Sequence, residues 1–115
     1  MKVYRVIENY EVCYPNPIVL KKGDIVTIEK WETNPDWLGW AFCVDIRGIK
    51  GWVSQKYLNA MGPSATAVAD YEATELAVTA GEKVESEKEE FGWAWVKNSR
   101  GSKGWVPLKA LSPQA

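Results

Sequence analysis

The residues in this sequence best able to do chemistry are its aromatic ones, seven Trp and five Tyr in 115 positions. Their chemistry is first of all recognition, because flat rings clasp apolar groups. The groups that catalysis needs are sparse. With no histidine in the chain, His-based triads, His metal sites and His proton shuttles are excluded. No carboxylate pair, nucleophile–base set or phosphate-cradling glycine loop can be placed by spacing. Neither an enzyme nor a cofactor is therefore expected. Two cysteines, Cys13 and Cys43, are too few for a disulfide scaffold, and both are expected reduced, Cys13 in a loop and Cys43 as a small core residue.

Charge narrows the partners further. Fourteen Lys and Arg against fifteen Asp and Glu leave a formal charge of −1, without the basic cluster that nucleic acid or an anionic membrane surface requires. No stretch approaches the ~18 apolar residues of a spanning helix. The opening residues, Met1 to Glu8, lack an apolar leader core, so a cytoplasmic location and a monomer are the default expectations.

The rings are positioned by an internal repeat. Residues 39–58 and 92–111 align without a gap at an offset of 53. They are identical at positions 39, 40, 41, 47, 48, 50, 51, 52, 53, 56 and 58, eleven of twenty. Upstream the match continues with shifted spacing. Lys22-Gly23-Asp24 answers to Ala80-Gly81-Glu82, and Asn9-Tyr10-Glu11 to Asp70-Tyr71-Glu72. The first copy is longer in two stretches, which should be loops, where insertions cost little.

Short β-rich runs broken by turn residues predict strands. Ile25–Ile28 alternates after a Gly-Asp turn, and Trp40–Val44 and Trp93–Val96 lead into hairpins at Arg47-Gly48 and Arg100-Gly101. Gly51-Trp52-Val53 and Gly104-Trp105-Val106 return as partner strands. No 3.6-residue apolar period persists, and the acidic run Glu85–Glu90 reads as a solvated loop. Alternation assigns Val6, Ile18, Leu20, Val26, Ile28, Cys43, Val53 and Leu58 to one core. A second and weaker core takes Ala67, Leu76, Val78, Val84, Val96, Val106 and Leu111.

Each copy thus runs Tyr, loop, Gly-acid, strand, loop, Gly-Trp, hairpin, Gly-Trp-Val, then Leu. That order resembles the Src homology 3 (SH3) domain, in its variant and bacterial-type forms. Ala67-Val68-Ala69-Asp70-Tyr71 is similar to the family's opening motif, and Gly104-Trp105-Val106-Pro107 to its last-strand signature. The resemblance implies an all-β chain of two tandem five-stranded barrels, residues 1–60 and 65–115, joined by a linker at 61–64. It also implies a short 3₁₀ turn before each last strand.

By the same resemblance the chain is a non-catalytic module for a protein or peptide ligand, Pro-rich and weakly held. The alternatives are a bacterial-type cell-wall or glycan-binding pair, or a structural tandem inside a larger assembly. The family's groove is a strip of rings that clasps a polyproline II helix. Carried over, it takes Tyr10, Trp40 and Tyr57 from the first copy, with Glu8 and Ser54 replacing a Tyr and a Pro. From the second copy it takes Tyr71, Trp93 and Pro107, with Ala69 and Ala110 replacing two Tyr. Glu32 and Asp36 are placed to meet a basic ligand residue. Three rings between two long loops make the first copy the expected stronger groove, with Trp40 its central ring.

Overall fold

The computed structural model describes residues 2–13 and 16–114. Among the described residues the strands, in chain order, are β1 (Lys2–Val6), β2 (Val19–Leu20), β3 (Ile25–Trp31), β4 (Trp40–Val44), β5 (Lys50–Ser54), β6 (Leu58–Met61), β7 (Ser64–Ala67), β8 (Tyr71–Glu72), β9 (Lys83–Glu90), β10 (Trp93–Lys97), β11 (Lys103–Pro107) and β12 (Leu111–Pro113). Three 3₁₀ turns, Pro35–Trp37, Gln55–Tyr57 and Leu108–Ala110, are the helical elements among the described residues. The last two precede β6 and β12, where the SH3 resemblance expects them. The fold is all-β.

Two compact units form, and they are not the two copies in sequence. One comprises residues 16–73 and the other residues 1–15 with 74–115. The first is therefore inserted, by chain order, within the second, and we call them the inserted and host units. In the host unit the ladder runs β11-β10-β9-β1-β12, and in the inserted unit β5-β4-β3-β7-β6. The order is the same, with β7 holding in one the slot that β1 holds in the other. The opening strands have traded places. The expected bodies, 1–60 and 65–115, are corrected accordingly.

The reason lies in the expected linker. Met61 and Ser64 are cross-strand partners, so Gly62-Pro63 is a two-residue hairpin loop, and Gly62 takes φ 64°, which favours glycine. Residues 61–64 are a turn and join no separate bodies. So tight a turn lays β7 against β6 (Leu58↔Ala67, Met61↔Ser64) and against β3 (Ile25↔Thr66, Thr27↔Ser64). The first-strand slot beside β3 is then filled, and β1 pairs instead with β9 (Lys2↔Ser86, Arg5↔Lys83) and β12 (Val6↔Leu111).

Side-chain volume agrees with this exchange. The inserted unit's core already holds Ile18, Leu20, Val26, Trp40 and Val53, and β7 adds only Ala65 and Ala67. The host unit has Val78, Ser86 and Ala110 where the inserted unit has Leu20, Ile28 and Tyr57, and β1 brings Tyr4 and Val6 to its core. Large strand meets small core and small strand meets large core, as close packing requires. The expected core residues are buried except Ile28, Leu58 and Leu76, which are half-buried. Val6 and Ala67, however, each serve the other copy's barrel.

The acidic run departs from expectation. Glu85–Glu90 lies within β9, pairing with β1 and β10, and Val84, Ser86 and Glu90 face inward. Pairing with β10 along the run, and with β1 at Glu85 and Ser86, overrides a propensity that reads as loop or helix.

Shared residues hold equivalent posts in the two units. A bulge interrupts β3 against β4 between Ile28 and Lys30, and β9 against β10 between Ser86 and Lys88. The skipped Glu29 pairs with Lys50 at 3.3 Å, and the skipped Glu87 with Lys103 at 3.0 Å. After the bulge, Lys30 Nζ sits 5.4 Å from the Phe42 ring and 5.7 Å from Trp52. Lys88 Nζ sits 5.7 Å from Trp95 and 5.5 Å from Trp105. Trp52 and Trp105 are thus cross-strand packing residues on the hairpin (Phe42–Trp52 5.0 Å, Trp95–Trp105 5.4 Å).

Candidate functional site

The exchange regroups the rings. Tyr10 belongs to the host unit with Trp93 and Pro107, whereas Tyr71 belongs to the inserted unit with Trp40 and Tyr57. The sets read along the sequence, Tyr10-Trp40-Tyr57 and Tyr71-Trp93-Pro107, are each split. Each unit still combines three groove elements, in a new combination.

In the host unit, the segment after β1 carries Tyr10, held as an isolated antiparallel bridge by reciprocal backbone bonds with Val78 at 2.9 and 3.0 Å. Its ring meets Trp93 edge-on, centroids 5.7 Å apart and planes at 81°, a geometry that aromatic quadrupoles favour. Both rings are half-buried, and Pro107 beneath the end of β11 is fully buried. Glu75 Oε1 accepts the Cys13 N–H at 2.7 Å, and the Tyr10 hydroxyl donates to Cys13 Sγ at 3.7 Å. Burial first, then Cys13 and Glu75, push the Tyr10 phenol well above its usual range, so it remains a protonated donor. Glu8 and Glu11 are exposed and Glu75 half-buried, giving this side an acidic edge. Phe91-Gly92, next to Trp93, closes the β9–β10 hairpin in two residues, both at positive φ (42° and 89°).

The inserted unit presents its rings differently. Trp40 and Tyr71 are each only 5% exposed. The Tyr71 hydroxyl donates to the Trp52 carbonyl at 2.8 Å, and its ring lies 4.8 Å from half-buried Tyr57. Ser54, at the position of Pro107, is fully buried, and its Oγ accepts the Lys56 N–H at 3.2 Å. Glu32 turns inward to its own loop, where Oε1 accepts the N–H groups of Thr33 and Asn34 at 3.0 Å each. Asp36 is exposed and donates its backbone N–H to Asn34 Oδ1 at 3.0 Å, at the start of the Pro35–Trp37 turn. The two acids are therefore not equivalent, one being a loop cap and the other solvated. Trp40, expected as a working ring, is a core residue.

Glu75 joins Tyr10 only through the strand exchange, since the sequence copies hold Tyr10 in the first and Glu75, an acid of the opening loop, in the second. The brevity of the 61–64 turn was the available signal. Cys13 is exposed and Cys43 buried, and burial lifts the Cys43 thiol to about 12, so it packs as an inert hydrophobe.

No curated protein matches the chain. The variant SH3 domain family, in contrast, matches it twice, at residues 3–60 and 66–114. Both matches follow the sequence copies, although the folded units exchange their opening strands. With nearly its whole length covered, the chain belongs to the variant SH3 domain family.

Proposed function

We propose that the chain is a non-catalytic recognition module whose working groove is in the host unit, around Tyr10 and Trp93. Its ligand is an extended protein segment carrying proline and a basic residue. The observation that carries this reading is the difference in ring exposure. Tyr10 and Trp93 stand edge-on and half-exposed beside an acidic edge, whereas Trp40 and Tyr71 are buried. A polyproline II segment, already extended, fits between such rings with little ordering cost, and Glu8, Glu11 or Glu75 can meet its Arg or Lys. With Glu8 and Ala110 standing where the family's groove has two further tyrosines, affinity should be weak. Tens of micromolar to millimolar is the expected range, roughly −4 to −6 kcal/mol.

The test is an amide-shift titration of the whole chain with Pro-rich peptides containing arginine and, separately, with peptidoglycan fragments. Saturable shifts at Tyr10, Glu75 and Trp93, abolished by Trp93→Ala, are expected with the peptides. Shifts confined to Trp40, Ser54 and Tyr57 would put the groove in the wrong unit. A response to peptidoglycan alone would replace peptide recognition by wall binding.

A further inference from the structure

The strand exchange divides the chain at Gly62-Pro63 into halves that depend on each other. β1 pairs with β9 and β12, β7 with β3, and β8 with β2, and Tyr10 bridges Val78. Each of these ladders joins residues before the turn to residues after it. The β6–β7 hairpin crosses the turn too, with Met61 opposite Ser64, and is the ladder that the turn closes directly. All of them need the other half, and none requires that half to come from the same chain.

The turn itself is suited to opening. Residues 59–64 are all exposed, Met61 by 76%, which leaves space for the chain to straighten. Gly62 holds φ at 64°, and glycine takes the extended region as readily. Pro63 carries a ring-fixed φ that suits an extended chain as well as a turn. A straightened Gly62-Pro63 leads β6 of one chain directly into its own β7, laid against β3 and β6 of a second copy. The ladders that crossed the turn are then re-formed between chains, including the bond from the Ile28 N–H to the Pro63 carbonyl, 2.7 Å in the closed form. The turn alone differs, so concentration decides between the two forms.

We propose that the chain forms a dimer with a second copy of itself by exchanging halves at Gly62-Pro63. The monomer is the dilute form. Resting on the groove reading above, each groove of the dimer takes Tyr10 from one chain and Glu75, Trp93 and Pro107 from the other. One particle then carries two weak grooves, and a ligand with two Pro-containing segments gains from the second as an intramolecular contact.

The test reads covalent connectivity and involves no ligand, so it fails separately from the groove reading. Arg5 and Lys83 are exposed cross-strand partners in β1 and β9, within the reach of a disulfide. The whole chain carrying Arg5→Cys and Lys83→Cys, with Cys13→Ser to remove the exposed native thiol, is refolded from denaturant at about micromolar and at about millimolar concentration. It is then oxidised and run on a denaturing, non-reducing gel, with the single Arg5→Cys chain as the control for chance cross-links. Single chains are expected from the dilute sample and covalent two-chain species from the concentrated one. Gly62→Val penalises the closed turn alone, because a Cβ there meets nothing within 4 Å and the strain is that of a positive φ. Each dimer relieves two such turns, so this variant should dimerise at a concentration at least about tenfold lower. The proposal is overturned by single chains at millimolar concentration, by a dimer on a sizing column that the gel resolves into single chains, or by a Gly62→Val chain that dimerises like its parent.

Discussion

The host and inserted units share their strand order, bulge, Glu–Lys pair and Lys–aromatic stack, yet they are built from opposite kinds of core. Ile18, Leu20 and Ile28 help fill the inserted unit around a strand of small residues, while Tyr4 and Val6 complete a host core that has Val78 and Ser86 at the positions of Leu20 and Ile28. One ladder thus tolerates two distributions of volume, provided the sum fills the barrel. What fixes the fold is the repeated hairpin with its bulge. Which strand enters the first slot is decided separately, by a two-residue turn at Gly62-Pro63 and by the fit of side-chain volumes. The family's pattern is written along the sequence, and the ring sets are assembled across it.

The largest effect that could break this comparison comes from cutting the Gly62-Pro63 turn. Each unit contains strands from both sides of it: β1 with β9–β12, and β7 and β8 with β2–β6. A protease site inserted there should, after cleavage, leave both pieces eluting together from a sizing column at about micromolar concentration. Two separately eluting folded pieces would show that each copy closes on itself. Residues 16–73 alone, a contiguous stretch holding every strand of the inserted unit, should fold.

Next in size are the glycines of the repeated Lys-Gly-Trp-Val stretch. A Cβ at Gly104 would lie 2.7 Å from the backbone of Glu75 and of Leu76, whereas one at Gly51 would meet the Ile18 side-chain methyl at 2.7 Å. Backbone cannot step aside and a methyl partly can. Gly104→Ala should therefore cost about 3 kcal/mol or more and Gly51→Ala about 1–2 kcal/mol. Denaturant midpoints showing equal losses would mean that the close approach is not the cause.

Trp40 and Trp93 separate stability from recognition. Trp40→Ala empties a core position and should cost about 3–5 kcal/mol, with any binding loss following from unfolding. Trp93→Ala, at a half-buried ring, should destabilise less and remove peptide binding. A folded Trp40→Ala chain that no longer binds, beside a Trp93→Ala chain that binds normally, would return the groove to the inserted unit.

Much of this was legible in the sequence because periodicity and turn residues act locally. The strands Trp40–Val44, Trp93–Lys97 and their hairpin partners follow from alternation and from Arg-Gly at the tips. Fold class and family follow from the ordered set occurring twice. The exchange of β1 and β7 was not legible by similarity, since either copy's opening strand satisfies the same pattern. It depends on whether four residues can span between bodies, a question of geometry. Trp40 was misassigned for a related reason. A ring at a groove position reads the same whether it faces solvent or packs inward, and only its neighbours decide. Glu85–Glu90 misled because charged side chains on the exposed face of a paired strand look like a loop.

The smallest expected effect sharpens the comparison through Asp45 and Asn98, equivalent residues that differ only in being able to ionise. Burial works against the Asp45 carboxylate's charge, but the N–H groups of Ile49 and Arg47 and the Arg47 guanidinium outweigh it, and the pKa is lowered. A depressed folded-state pKa contributes stability that is present above the unfolded value, about 3.9, and is lost as pH falls through the folded value. Acid should therefore weaken the inserted unit by a contribution that the host unit lacks, because Asn98 does not titrate. Asn98 also carries a buried Nδ2 with no hydrogen-bond partner, the one such side-chain atom among the described residues. Exchanging the two residues should exchange these properties. Asp45→Asn should cost about 1–2 kcal/mol at neutral pH, through loss of the charge-assisted bonds, and flatten the inserted unit's acid dependence. Asn98→Asp removes the orphan donor and, with the Arg100 and Ser102 N–H groups already on its Oδ1, should give the host unit an acid-sensitive contribution of its own. Amide hydrogen exchange measured between about pH 5 and pH 3, on Cys43 and Val53 in one unit and Val96 and Val106 in the other, reads each slope separately. If Asp45→Asn left the inserted unit's slope unchanged, the tip carboxylate would not be its source, and the two hairpins would be energetically as alike as they are in shape.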